Sequence, residues 1–368
     1  MPKLIMTYFD DIAIHFIVGT GRSGTTLLSQ ILNRHPDVLS TIETQFILYF
    51  YERYGKGKRD ISGIKKDMHD YYENLKKSRN IPHKAGHFIW NFDESYLNKV
   101  LQQPDDDKLY ANVCKAFLLG FQFLNTQNDH TKIIIDKNPS YSTWTKELSA
   151  IFPEAKFLVA VRDYRAVANS MKQSPGFVAI DKLVKSPFFW QLQNKHLLEC
   201  QKKRPQQFMI VRYEDLVDKK ESVVQTVCAF LGITFSENML AQDEVLQKKF
   251  DQYTEAEQAS PRELKKWTDL TRPVNNARKT SWQTELSHPE IAFAEWWCGK
   301  TGQMLGYEPS LQLSSFQKTA VIVRNLPHIA IFVVLYFLYI RHYYRIPLKA
   351  RQWIVWTIKQ VKSKFSKL

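Results

Sequence analysis

The segment Gly19-Thr-Gly-Arg-Ser-Gly-Thr-Thr26 gathers groups suited to binding a phosphate-like anion. Glycines let backbone N–H groups approach an anion closely, and a helix N-terminus adds partial positive charge. Gly21, Arg22, Ser23, Gly24, Thr25 and Thr26 are the candidate binding residues, with hydroxyl donors at Thr25 and Thr26. The spacing of Gly19, Gly24 and Thr26 fits the nucleoside-triphosphatase loop G-x-x-x-x-G-K-[ST], but Thr25 stands where the lysine belongs. That lysine reaches the β- and γ-phosphates, and the next hydroxyl holds magnesium. Its absence weakens a kinase or NTPase reading. Arg22 keeps one cation in the loop, which suits a ligand with a single phosphate-like group here and no metal.

A second anion site is spelled by Arg162-Asp163 and the following Tyr-Arg-Ala-Val-Ala-Asn-Ser170. Arg162 ends a predicted strand, where ligands of open α/β sheets bind, and Asp163 is positioned to cap the next helix. Ser170 lies a little over two helical turns further on, so both side chains can face one anion. An arginine fork with a hydroxyl suits a phosphate monoester. The competing reading is a structural ion pair between Arg162 and an aspartate.

With these motifs in view, the chain resembles the sulfotransferases, in the branch of the tyrosylprotein and bacterial enzymes, over roughly residues 12–307. The resemblance implies that the loop holds the 5′-phosphosulfate of 3′-phosphoadenosine 5′-phosphosulfate (PAPS), and that Arg162 and Ser170 hold its 3′-phosphate. It implies a base at Glu43, within Glu43-Thr-Gln45. Gln45 replaces an arginine of that branch, which argues against peptidyl tyrosine as acceptor. Lys137, in Asp136-Lys-Asn-Pro139, matches a family lysine able to reach the bridging oxygen between sulfur and phosphorus. Arg278 and Lys279 sit where related enzymes place a basic loop on the 3′-phosphate. His83 and His87 are the rival bases, since cytosolic members use histidine. The segment Val211–Val217 also looks like the family, and its Arg–Glu pair reads as structural.

These groups need elements to hold them. Apolar runs at Ile12–Val18, Lys132–Ile135, Lys156–Val161 and Phe208–Val211 alternate with helical segments, the pattern of a parallel sheet covered on both faces. Helices are expected near Ile64–Lys77, Ala111–Asn125 and Pro289–Leu305, with a long connection over 249–280. The fold expected is α/β: a P-loop-like three-layer sandwich with a central parallel sheet, a helical insertion over about 55–130, and a basic membrane-associated C-terminal tail. The division is a sulfotransferase domain over 1–308 and a tail over 309–368.

The net charge of +14 belongs to that tail. Residues 309–368 hold ten of the 51 Lys and Arg and no Asp or Glu, leaving 41 basic against 37 acidic residues elsewhere. A nearly neutral body gives no reason to expect nucleic acid as a partner. Within the tail, His328–Ile340 is almost wholly apolar but short of the roughly 20 residues a spanning helix needs. Leu348–Leu368 mixes Trp353, Trp356 and Phe365 with lysines, the composition of an interfacial amphipathic helix. Attachment to a membrane surface is expected rather than a clean span. Four scattered cysteines suggest neither zinc site nor disulfide framework, and Asp10 and Asp11 interrupt the only apolar stretch near Met1. A catalytic domain on the cytoplasmic side is therefore expected.

The activity expected is sulfuryl transfer from PAPS, without a metal, to the hydroxyl of a lipid, sterol or glycolipid, with a soluble glycan or small alcohol as the other acceptors left open. Glu43, Lys137 and Arg22 would carry the catalysis. The alternatives are a membrane-associated nucleotide kinase or NTPase, and a non-catalytic nucleotide-binding adaptor.

Overall fold

The structure is a computed structural model that describes residues 8–41, 43, 46–55, 63–77, 90–102, 108–123, 130–173, 179–241, 277–338, 340–346 and 350. Five strands form the central sheet: β1 (Ala13–Gly19), β2 (Val38–Thr41), β5 (Ile133–Lys137), β6 (Phe157–Val161) and β7 (Phe208–Arg212). Their order is β2-β5-β1-β6-β7, every pairing is parallel, and β1 lies in the middle. A separate antiparallel pair joins β3 (Trp90–Phe92) to β4 (Phe121–Phe123). The longer helices are α1 (Thr25–Leu32), α2 (Ile64–Lys77), α3 (Leu109–Gly120), α4 (Thr145–Ile151), α5 (Tyr164–Lys172), α6 (Ala179–Lys203), α7 (Lys220–Leu231), α8 (His288–Met304) and α9 (Ser315–Leu338).

Strand alternation divides the core into two layers. Phe16, Val18, Phe157 and Val159 point to one face, where they meet Leu148 of α4 and Trp190 and Leu197 of α6. Ile17, Leu158 and Ala160 point to the other, against α1 and α7 through Leu28, Ile31, Val224 and Val227. Both faces are thus covered, as continuous apolar runs in parallel strands require. The four expected strands form within a residue or two of their predicted ends. So does α2, while α3 stops at Gly120, short of the expected Asn125, where β4 begins. Strand β2 was not anticipated: four residues after the turn at His35-Pro36-Asp37 carry too short a signal, and pairing with β5 defines them.

The tail helix α9 starts at Ser315, well before the apolar run that marked it, and continues through Arg324 and Pro327. Its Val321, Ile329 and Phe332 pack on Phe188 of α6 and Phe293 of α8, as Trp296 and Trp297 do. A turn at Ile340–Arg345 then buries Tyr344 beside Tyr141 and Trp144. The described part of the tail therefore rests on the body. Among the described residues, no helix is long and apolar enough to cross a membrane. The expected amphipathic segment Leu348–Leu368 apart from Ala350, most of the 249–280 connection, Gln45, His83 and His87 lie outside the described residues. Cys114, Cys200, Cys228 and Cys298 are free and buried.

The sheet depends on a close approach at Gly19, which has φ 135° and whose missing Cβ would stand 2.2 Å from the carbonyl oxygen of Ala160 on β6. Gly19→Ala should destabilise the protein by about 2–4 kcal/mol, combining overpacking with an unfavourable backbone angle. A thermal melt within a degree or two of the parent would contradict this.

Candidate active site

The loop between β1 and α1 turns on two left-handed residues, Arg22 (φ 74°) and Gly24 (φ 86°). A Cβ on Gly24 would meet the Tyr213 ring at 2.6 Å, so the glycine admits that ring against the loop. Arg22 is not a glycine, and a left-handed conformation at such a residue is uncommon enough to mark a functional site. Thr20 and Ser23 are almost completely buried, and Thr20 Oγ1 accepts a hydrogen bond from Asn194 Nδ2 at 3.1 Å. α1 begins at Thr25.

The second motif folds against the first. Arg162 follows β6, is 6% exposed, and lies over the Tyr213 ring with 4.5 Å to its centroid. Its guanidinium donates to the carbonyl oxygens of Arg22, at 3.2 Å, and Arg278. Ser170, on α5, accepts from Arg22 Nε at 2.9 Å. Arg22, Arg162, Ser170 and the backbone of Arg278 thus converge on one spot. The aspartate ion pair considered for Arg162 belongs instead to Arg165, which binds Asp163 and Glu295, each at 2.8 Å. Asp163 caps α5 as expected, accepting from Arg165 N at 2.8 Å. Lys279 pairs with Asp218. In the Val211–Val217 segment, Glu214 accepts from Asp163 N and from the Tyr307 hydroxyl.

Lys137, the last residue of β5, donates to Glu43 Oε1, and both side chains are largely buried. Strand β5 lies beside β1, where Asn138 N donates to Ile17 O at 3.0 Å, so the pair belongs to the loop's end of the sheet. Beneath it, Asp136 is fully buried; burial pushes its pKa up to about 7, against a hydrogen bond from Thr41 and the nearby Lys137 ammonium.

The residues that match a known family are these same elements. The model of the "Sulfotransferase family" matches residues 15–237. The chain belongs to the sulfotransferase family. It is 25% identical to protein-tyrosine sulfotransferase 2 of Gallus gallus, over 75% of this chain and 64% of that one. It is equally similar to protein-tyrosine sulfotransferase 1 of Danio rerio, over 75% of this chain and 67% of that one. The chain thus spans about two thirds of the length of these relatives. Among solved structures it resembles the sulfotransferase domain from the curacin biosynthetic pathway, with TM-score 0.49 and 17% identity over 81% of this chain and 98% of that one.

The donor of this family is PAPS, and the residues present fit it. Ser23 Oγ and Arg162 Nε are buried without a hydrogen-bond partner among the described residues, as is Asn138 Nδ2. Buried donors are normally satisfied, so each is poised for an acceptor atom from a ligand. Two of them lie in the sulfotransferase's two anion motifs. Sequence reasoning missed Tyr213, Thr20, Asn194 and Asp136. Tyr213 lay inside the Val211–Val217 motif read as structural, and Asp136 sat next to Lys137. Asn194 had no local signal, being set against the loop by α6 from 174 residues away.

The shift at Asp136 has a sign. Its folded pKa lies above the ordinary aspartate value of 3.8, so the carboxyl favours folding while protonated, and that contribution is lost as pH rises from about 4 through about 7. Asp136→Asn should melt close to the parent at pH 4 and above it at pH 8. A difference that does not vary with pH would show that Asp136 is not buried as an acid.

Proposed function

We propose that this sulfotransferase transfers a sulfuryl group from PAPS to the hydroxyl of a membrane-borne alcohol, a lipid, sterol or glycolipid. The observation that carries the chemistry is the Glu43–Lys137 pair at the loop's end of the sheet. The donor supplies an activated sulfuryl group whose departure leaves adenosine 3′,5′-bisphosphate. Gly21, Ser23, Gly24, Thr25 and Thr26 hold the 5′ end through loop amides and hydroxyls. Arg162 and Ser170 hold the 3′-phosphate, assisted by Arg278 and Lys279. Glu43 accepts the proton of the attacking hydroxyl, a role that needs a carboxylate within hydrogen-bond reach. Lys137, paired with Glu43 beforehand, and Arg22 neutralise the charge that grows on the departing phosphate oxygen.

The tail supports the choice of a membrane alcohol and of the cytoplasmic leaflet. The outer face of α9 exposes Phe316, Val323, Leu326, Val334 and Phe337, and the sequence after it carries Lys and Arg but no Asp or Glu. Apolar residues beside cations suit an anionic membrane surface. The two curated relatives described above are named for protein tyrosine, which makes peptidyl tyrosine the acceptor to test against.

Calorimetric titration with adenosine 3′,5′-bisphosphate should show magnesium-independent binding, weakened at least tenfold in Arg162→Ala. Glu43→Gln should retain that binding and lose about 10²–10⁴-fold in turnover. An active Glu43→Gln enzyme would remove Glu43 from the mechanism. With radiolabelled donor and a membrane extract, label should enter the lipid phase; label confined to protein would return the acceptor to tyrosine.

A further inference from the structure

A cavity of about 600 Å³ lies between the tail and the body, bounded by α4, α6, α8, α9 and the turn after α9. Its volume falls in the range of small-ligand sites. Trp144, Phe188, Trp297, Phe332 and Tyr336 supply most of its aromatic wall.

The cavity is not the catalytic site. Helix α6 separates the two, because its residues divide by helical spacing. Trp190, Asn194 and Leu197 face the sheet; Trp190 Nε1 donates to Arg162 O at 2.8 Å, and Asn194 reaches Thr20. Phe188, Leu192, Lys195 and Glu199 lie on the opposite side and line the cavity. An occupant there stands a helix diameter, roughly 10 Å, from the donor loop.

Its charges point to the occupant. Arg345 and Glu147 neutralise each other at 2.8 Å. That leaves Lys195, Arg341 and Glu199 in the lining, where Arg341 lies over the Phe337 ring with 5.9 Å to its centroid, and neither cation makes an ion pair among the described residues. His196 also lines the wall, its Nε2 within 3.0 Å of Thr145 Oγ1. The lining therefore carries one net positive charge beside an aromatic wall. Helix α9 connects this wall to the outside: Phe332 and Tyr336 line the cavity on its inner side, while Val334 and Phe337, each about half exposed, form its outer side.

We propose that this cavity binds one anionic phospholipid, with the phosphodiester between Lys195 and Arg341 and an acyl chain along the aromatic wall. The site holds the tail helix to the body when the enzyme rests on a membrane, and so deepens the membrane reading above, on which this role rests. A single negative headgroup charge matches the single positive charge of the lining. The ligand is a lipid rather than free phosphate because the aromatic wall needs an apolar occupant to displace its water.

The test uses the full chain and separates the site from the membrane reading. Dihexanoyl phosphatidylglycerol, titrated below its micellar concentration, should saturably change the tryptophan fluorescence of Trp144 and Trp297. Lys195→Gln with Arg341→Gln should weaken this at least tenfold while adenosine bisphosphate binding, the folding control, is unchanged. Inorganic phosphate should have no effect at the same concentrations, and dihexanoyl phosphatidylcholine should bind more weakly. Val323→Asp with Val334→Asp, on the exposed face and away from the lining, should abolish sedimentation with phosphatidylglycerol vesicles and spare the short-chain lipid. No saturable response to the short-chain lipid, or a response equal in the double Gln variant, overturns the cavity site even if vesicles still bind. Short-chain binding without vesicle binding upholds the site and overturns membrane attachment. A response to phosphate alone would make it an anion site and overturn the lipid.

Discussion

The backbone contact between β1 and β6 at Gly19 governs the architecture. It lets the central strand run to its last residue in register with Ala160 and releases the loop at the C-terminal end of the sheet, between two other strand ends. Ser142 locks the place from the other side, accepting from Gly19 N at 2.8 Å and donating to Gly19 O at 3.0 Å. Because parallel strands all end at one side, Lys137 on β5 and Arg162 after β6 are delivered to the same end as the loop. A phosphate loop, a lysine and an arginine that are far apart in sequence become neighbours through strand order alone.

Buried polar groups then hold the second motif in place. Arg165 is clamped by Asp163 and Glu295 and covered by the Trp282 ring at 4.1 Å. Glu295 also accepts from the backbone N–H groups of Ser310 and Leu311, so a single carboxylate ties α8 to α5 and to the start of the tail. A buried pair of this kind adds little net stability over an apolar replacement, yet breaking it costs about 3–5 kcal/mol. Its contribution here is positional: it sets the start of α5, and with it the backbone from which Arg162 reaches the loop. Arg162 itself is left with a buried Nε that no described residue satisfies, a tension suited to a ligand-binding residue.

The tail has two faces with different work. Its inner face completes the aromatic packing begun by Phe188, Phe293 and Trp297, and its outer face leaves valines and phenylalanines in water. An isolated run of exposed apolar residues would be unremarkable. Aligned along one helix and followed by a stretch of chain with cations and no acid, they form a surface with a direction.

Much of this was legible from residues alone. The loop motif, its missing lysine and the Arg162–Ser170 spacing carry local backbone requirements: a turn, a helix start, a cap and two helical turns. Such requirements act over ten residues or fewer, so sequence determines them, and the four central strands follow for the same reason. Strand β2, the partner of Arg165, the stacking of Tyr213 on Arg162 and the reach of Asn194 to Thr20 were decided only by the tertiary structure. Each depends on two segments meeting across the sheet or through α6, and nothing in either segment's own pattern encodes its partner. The course of α9 is the intermediate case: its apolar run was visible in the sequence, but only the tertiary structure shows the helix starting at Ser315, packing one side on α6 and α8, and lining a cavity against the body.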